Sequence, residues 1–107
     1  MVGTNKSDGC PRTGGPEETE GIVAVIDWLN GRANGVDGSG TAKQADWSTG
    51  KVGMYGKSYD GTLANAAAST GVEGLETIVP VVAISSWYDY YRSNGVVYSG
   101  ISSVSNL

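Results

Sequence analysis

Four patterns follow one another without interruption between Lys51 and Ser85, and together they leave few folds open. Val52-Gly53-Met54-Tyr55 is a short apolar run of the kind a buried strand uses. Gly56-Lys57-Ser58-Tyr59-Asp60-Gly61 is a tight turn with glycine at either end. Leu63, Ala64, Ala66, Ala67 and Ala68 then form a small-residue helix, which starts from about Tyr59 and is stopped by Thr70-Gly71. Leu75–Ile84 is a second apolar run, rich in the β-branched residues Ile78, Val79, Val81, Val82 and Ile84, with Pro80 as its flaw. A strand, a helix and a strand in close succession pack as a parallel pair with a right-handed crossover. The fold class read from this is α/β, a piece of a parallel sheet with a strand–sharp turn–helix unit.

The flanking sequence divides around that unit. Residues 1–16 are rich in Gly, Ser, Thr, Asn and Pro and read as a loop. Glu17, Glu18 and Glu20 sit where acids complement a helix's N-terminal dipole, and Ile22, Val25, Ile26 and Leu29 carry helical spacing. A helix is expected over about Glu17–Asn30, ending near Gly31 or Arg32. The division is therefore loop and helix to about 32, a polar surface excursion at about 33–50, strand–turn–helix–strand at about 51–84, and an aromatic segment at about 85–98. That last segment holds Trp87, Tyr88, Tyr90 and Tyr91, and the Ser-rich tail after Gly95 carries no expected helix or strand.

Composition narrows the chemistry. The 107 residues include no histidine, so they contain neither a complete Ser-His-Asp triad nor a histidine-ligated zinc site. One cysteine, Cys10, cannot form an internal disulfide. No metal site and no cofactor is expected, because the spacing of Asp37, Asp46 and the early glutamates fits no cation loop. A net charge of −4 gives no positive field for phosphates, so no nucleic-acid partner is expected. No apolar run reaches the roughly 20 residues of a membrane span, so no membrane partner is expected either. Compartment and oligomeric state have no signal in the sequence.

The turn at Ser58 carries the chemistry. A phosphate loop, G-x-x-x-x-G-K-[ST], requires glycine five residues before Gly56, and Lys51 stands there. A nucleophile elbow instead requires strand, strained turn with serine at its apex, and immediate helix, with small residues where backbones approach. Gly56, Ser58 and Gly61 meet that need, and the Tyr59 N–H would face an oxyanion at the helix N-terminus. The common G-x-S-x-G pattern wants glycine where this chain has Asp60. From the residues alone, Ser58 is either an elbow nucleophile or an ordinary turn or N-cap serine.

Longer motifs add a resemblance. Ala45–Ser58, ADWSTGKVGMYGKS, followed by Tyr59-Asp60-Gly61-Thr62, resembles the serine region of the Xaa-Pro dipeptidyl-peptidases, peptidase family S15. That family's G-x-S-Y-x-G is met by Gly56, Ser58, Tyr59 and Gly61. Gly3–Gly9, Ala24–Arg32 and Ala83–Arg92 resemble family segments in the same order, and the likeness fades after about Tyr98.

The resemblance implies an α/β-hydrolase catalytic domain, of which residues 1–107 form a part. It implies a serine exopeptidase that releases N-terminal Xaa-Pro dipeptides through an acyl-enzyme, so the expected partner is a peptide with proline at its second position. Ser58 would be the nucleophile and the Tyr59 N–H an oxyanion donor. Trp87 and Tyr90 would wall the proline pocket, a role for which flat aromatic faces are suited; packing is the other reading of that cluster. In this fold the triad order is Ser, acid, His, so both partners are expected beyond Leu107 and the 107 residues alone are expected to be inactive. Asp60 and Asp89 do not stand where the triad acid is expected. The alternatives are an inactive truncated remnant or interaction piece, or another serine ester or amide hydrolase of the same fold.

Overall fold

The structure, a computed structural model, describes residues 2–98. Its centre is the expected parallel pair, β3 (Val52–Lys57) and β4 (Leu75–Val81), joined by helix α2 (Tyr59–Ser69). Register runs from Gly53 opposite Thr77 to Lys57 opposite Val81, with an irregularity between Val52 and Gly53. β3 extends two residues further than the expected 52–55, so Ser58 alone separates strand from helix. Ala64 and Ala67 of α2 are fully buried. Side chains no larger than a methyl let the helix lie close to the strands, which is why this stretch is alanine-rich rather than leucine-rich.

The strands differ from expectation in two respects. They were expected to be buried, yet along β3 only Gly56 is buried, and the covered positions Val52, Met54 and Gly56 alternate with exposed ones. Tyr55 is 86% exposed and Val79 55%. Helix α1 (Pro16–Leu29) and α2 approach the Val52–Met54 side, and an apolar run reports a side chain's preference rather than what lies against it. β4 also ends at Val81 rather than reaching Ile84, because Val82 turns the chain at φ 45°, a left-handed value that breaks a ladder and is rare for a β-branched residue. Pro80 is tolerated because, among the described residues, β4 is paired along one edge only.

Helix α1 (Pro16–Leu29) matches the expected 17–30 within a residue at each end. Pro16 fits the first turn, where a missing N–H costs nothing. Ile26 is the anchor of its inward face at 2% exposure. Arg32 fixes the exit, donating to Asp27 Oδ1 at 2.7 Å and to the Glu73 carbonyl at 2.6 Å, which ties the end of α1 to the loop before β4.

The excursion at 33–50 is not featureless. β1 (Gly35–Val36) and β2 (Ala42–Lys43) form a short antiparallel pair. Asp37 organises its turn: Oδ1 accepts from Ser39 Oγ at 2.6 Å, Ser39 N at 2.9 Å and Thr41 N at 3.0 Å. The Ser39 hydroxyl first, then the Thr41 and Ser39 amides, hold the carboxyl below the ordinary aspartate range. A depressed folded pKa stabilises the turn above the ordinary aspartate value and loses that contribution as pH falls through the folded one. The Ser39 and Thr41 amides are therefore expected to lose protection, measured against the intrinsic exchange rate at each pH, as pH drops through that window, and Asp37→Asn to flatten the dependence, as read by amide hydrogen exchange.

The aromatic segment carries a short helix and a two-stranded hairpin that the sequence pattern does not predict. Helix α3 (Trp87–Tyr91) is capped by Ser86, whose Oγ accepts from Asp89 N at 3.3 Å. β5 (Arg92–Ser93) and β6 (Val96–Val97) form a hairpin with Asn94 and Gly95 at φ 49° and 83°. Both are left-handed, as a tight hairpin turn requires and as Asn-Gly permits. The last nine residues of the Ser-rich tail lie outside the described residues.

Candidate active site

Ser58 stands between the last residue of β3 and the first of α2, exposed, with φ 59° and ψ −121°. Side chains disfavour that backbone conformation, and it persists only where surroundings impose it. They do so here from both sides. Ser58 N donates to Val81 O at 2.8 Å, and Ser58 O accepts from Thr62 N at 3.0 Å. The two glycines of the motif are steric necessities. A Cβ on Gly56 would lie 2.5 Å from the Asp60 carbonyl carbon, and one on Gly61 would lie 2.9 Å from Gly56 O. Tyr59, the first residue of α2, has an N–H of the class that finds no acceptor within its own helix. It lies at the end where the helix's partial positive charge collects.

Thr62 was not singled out from sequence, yet it links two parts of the site. Its Oγ1 donates to Ser58 O at 3.3 Å and accepts from Ile84 N at 2.8 Å. The chain leaving β4 is thereby held to the first turn of α2.

Trp87 and Tyr90 are brought together in one ring cluster. The Trp87 ring lies 5.8 Å from that of Tyr59, which adjoins Ser58 in the chain. Tyr90 meets Trp87 edge-on at 6.3 Å and Tyr91 at 5.0 Å, while remaining 47% exposed. Tyr91 stacks on Trp87 at 5.9 Å with planes 12° apart and is buried, so the half-buried indole packs against a buried ring. Asp60 and Asp89 are both exposed.

Two further residues belong to this cluster. Gly14 N donates to Tyr59 Oη at 2.9 Å and to Glu18 Oε2 at 3.0 Å. Glu18 is 6% exposed, and its Oε1 has no partner among the described residues. The sequence signal for Glu18 was its place in the first turn of α1, where a glutamate reaches back to amides that precede the helix. Nothing local in the sequence announced that Tyr59 would share the same amide.

Comparison with known proteins decides the family. The sequence profile of the X-Pro dipeptidyl-peptidase (S15 family) matches residues 1–104. This chain belongs to the S15 peptidase family. Among curated S15 relatives, a Bacillus cereus protein provisionally named an Xaa-Pro dipeptidyl-peptidase is 64% identical over 96 residues, 90% of this chain and 17% of its own length. The Xaa-Pro dipeptidyl-peptidase of Lacticaseibacillus casei is 60% identical over 98 residues, 90% of this chain and 12% of its own length. That of Lactobacillus helveticus is 55% identical over 98 residues. The chain thus spans between 12% and 17% of the length of these S15 relatives.

Proposed function

We propose that this S15 segment is part of an α/β-hydrolase catalytic domain in a serine exopeptidase that releases N-terminal Xaa-Pro dipeptides. Ser58 is the nucleophile. Its Oγ attacks the prolyl carbonyl, forming an ester with the Xaa-Pro acyl group, and the remainder of the peptide leaves as an amine. Water then hydrolyses the ester. The Tyr59 N–H stabilises the oxyanion in both steps, helped by its place at the N-terminus of α2. Trp87 and Tyr90 present aromatic surface to the proline ring. The imidazole that takes the serine proton, and the acid that orients it, come from outside these 107 residues, which hold no histidine. The observation that carries the reading is the backbone of Ser58: a left-handed serine at the junction of strand and helix, between two glycines that tolerate no side chain.

The test uses a full-length S15 protein carrying this segment. A fluorophosphonate that labels activated serines is expected to modify Ser58, which mass spectrometry finds at the start of the tryptic peptide 58–92. The same protein is expected to release p-nitroaniline from alanyl-prolyl-p-nitroanilide and not from its N-acetylated form. The 107 residues alone are expected to release none. A label on another serine, with Ser58 unmodified in active protein, would overturn the assignment.

A further inference from the structure

Gly14 lies in the loop before α1, far along the chain from Ser58, yet the surroundings of Ser58 converge on it. Its N–H is shared between Tyr59 Oη at 2.9 Å and Glu18 Oε2 at 3.0 Å. Its φ is +71°, and a Cβ there would lie 2.8 Å from Trp87 Nε1 and 2.9 Å from Trp87 Cε2. The indole therefore rests directly on glycine backbone. Its aromatic neighbours are Tyr59 at 5.8 Å, the stacked ring of Tyr91 at 5.9 Å and the edge-on ring of Tyr90 at 6.3 Å. Glu18 is fixed in turn: it is buried in the first turn of α1, with its own N–H donating to Gly15 O at 3.2 Å. The first turn of α1, the first residue of α2 and the first residue of α3 thus meet at one amide.

We infer that Tyr59 Oη and the Glu18 carboxylate act together, through the Gly14 N–H, as positioning residues that set the plane of Trp87 and so tune selectivity for a ring at the substrate's second position. The inference rests on the proposed role of Trp87 as a wall of that pocket. Two acceptors on one N–H hold the loop flush against the indole. Losing an acceptor lets the glycine backbone lift, and the indole then gains room to tilt. Contact with a proline ring depends on that plane, whereas a small, ringless side chain such as alanine depends on it little. The first quantity to change is therefore binding of the prolyl substrate, more than the chemical step at Ser58.

The experiment measures kcat and KM of the full-length protein with alanyl-prolyl and alanyl-alanyl p-nitroanilides, beside melting temperature. Tyr59→Phe keeps the ring and the backbone N–H but removes the hydroxyl. It is expected to raise KM for the prolyl substrate by about tenfold, the scale of one lost hydrogen bond, and by more than it lowers kcat. The preference for proline over alanine is expected to narrow by a similar factor. Glu18→Leu is expected to do the same, and Glu18→Gln, which keeps an acceptor oxygen, to restore the wild-type KM and preference. Should Tyr59→Phe fail to fold, the Glu18→Leu and Glu18→Gln pair gives the same comparison. A lowered melting temperature with unchanged KM and unchanged proline preference would show a purely structural contact and overturn the inference. That result, with Ser58 still labelled by the fluorophosphonate, leaves the proposed function standing; loss of the label at Ser58 overturns the function itself.

Discussion

Ser58→Gly in a full-length S15 protein carrying this segment is expected to abolish Xaa-Pro release while making the protein more stable. The loss follows from removing the attacking oxygen, which in serine hydrolases costs on the order of 10⁶-fold in kcat. The gain follows from the backbone. At φ 59° and ψ −121°, Ser58 occupies a region that side chains disfavour by about 1–3 kcal/mol. Glycine enters it without that cost, offset in part by about 0.5–1 kcal/mol of extra freedom in the unfolded chain. A net rise of about 1 kcal/mol is expected, read by denaturant unfolding. Ser58→Ala is the decisive companion. It removes the same oxygen but keeps Cβ, so it is expected to lose the activity without the gain. Equal stability of the two variants would show that the strain is absent.

The second large effect is steric. Gly56→Ala is expected to cost more than about 4 kcal/mol and to remove most soluble protein. The added Cβ would meet the carbonyl carbon of Asp60 at 2.5 Å, the Asp60 Cβ at 2.6 Å and its carbonyl oxygen at 2.6 Å. Most of that surface is backbone in the first turn of α2, which cannot yield without dragging Ser58 and Gly61 with it. Gly53→Ala, in the same strand, gives the contrast. Its Cβ would lie 3.3 Å from Thr77 Cγ2, the end of a side chain, and the expected cost is about 1 kcal/mol or less. Soluble yield and unfolding midpoints of the two variants check the difference. A Gly56→Ala protein as stable as Gly53→Ala would contradict the close approach at Ser58.

The parts of this architecture that were legible in sequence are those set by local pattern. Val52–Tyr55 and the alanine run at 64–68 named a strand and a closely packed helix, and Gly56 and Gly61 marked where backbones would crowd. Family-level motifs then added Trp87 and Tyr90, which no periodicity singles out. Other signals were present but short. Ser86 three residues before Asp89 is a capping pattern for a helix of only five residues, and Asn94-Gly95 is a hairpin turn between strands of two. Elements that brief offer too few positions for hydrophobic periodicity to register. The exposure of Tyr55 and Val79 lay beyond reach for another reason: alternation shows which side chains favour burial, while what covers a face is a property of the tertiary arrangement. The Gly14–Tyr59 bond joins residues 45 positions apart, and no window of local pattern contains both.

The hydroxyl of Thr62 has a mechanical consequence. Because it grips Ser58 O and Ile84 N together, the chain that carries Trp87 hangs from the same helical turn that adjoins Ser58. The relation between serine and indole thus runs through the two hydrogen bonds of one threonine hydroxyl, at 3.3 and 2.8 Å, as well as along the long route through α2, the following loop and β4. With Ser58 N bonded to Val81 O as well, the serine, the first turn of α2 and the chain leaving β4 close into one ring of hydrogen bonds.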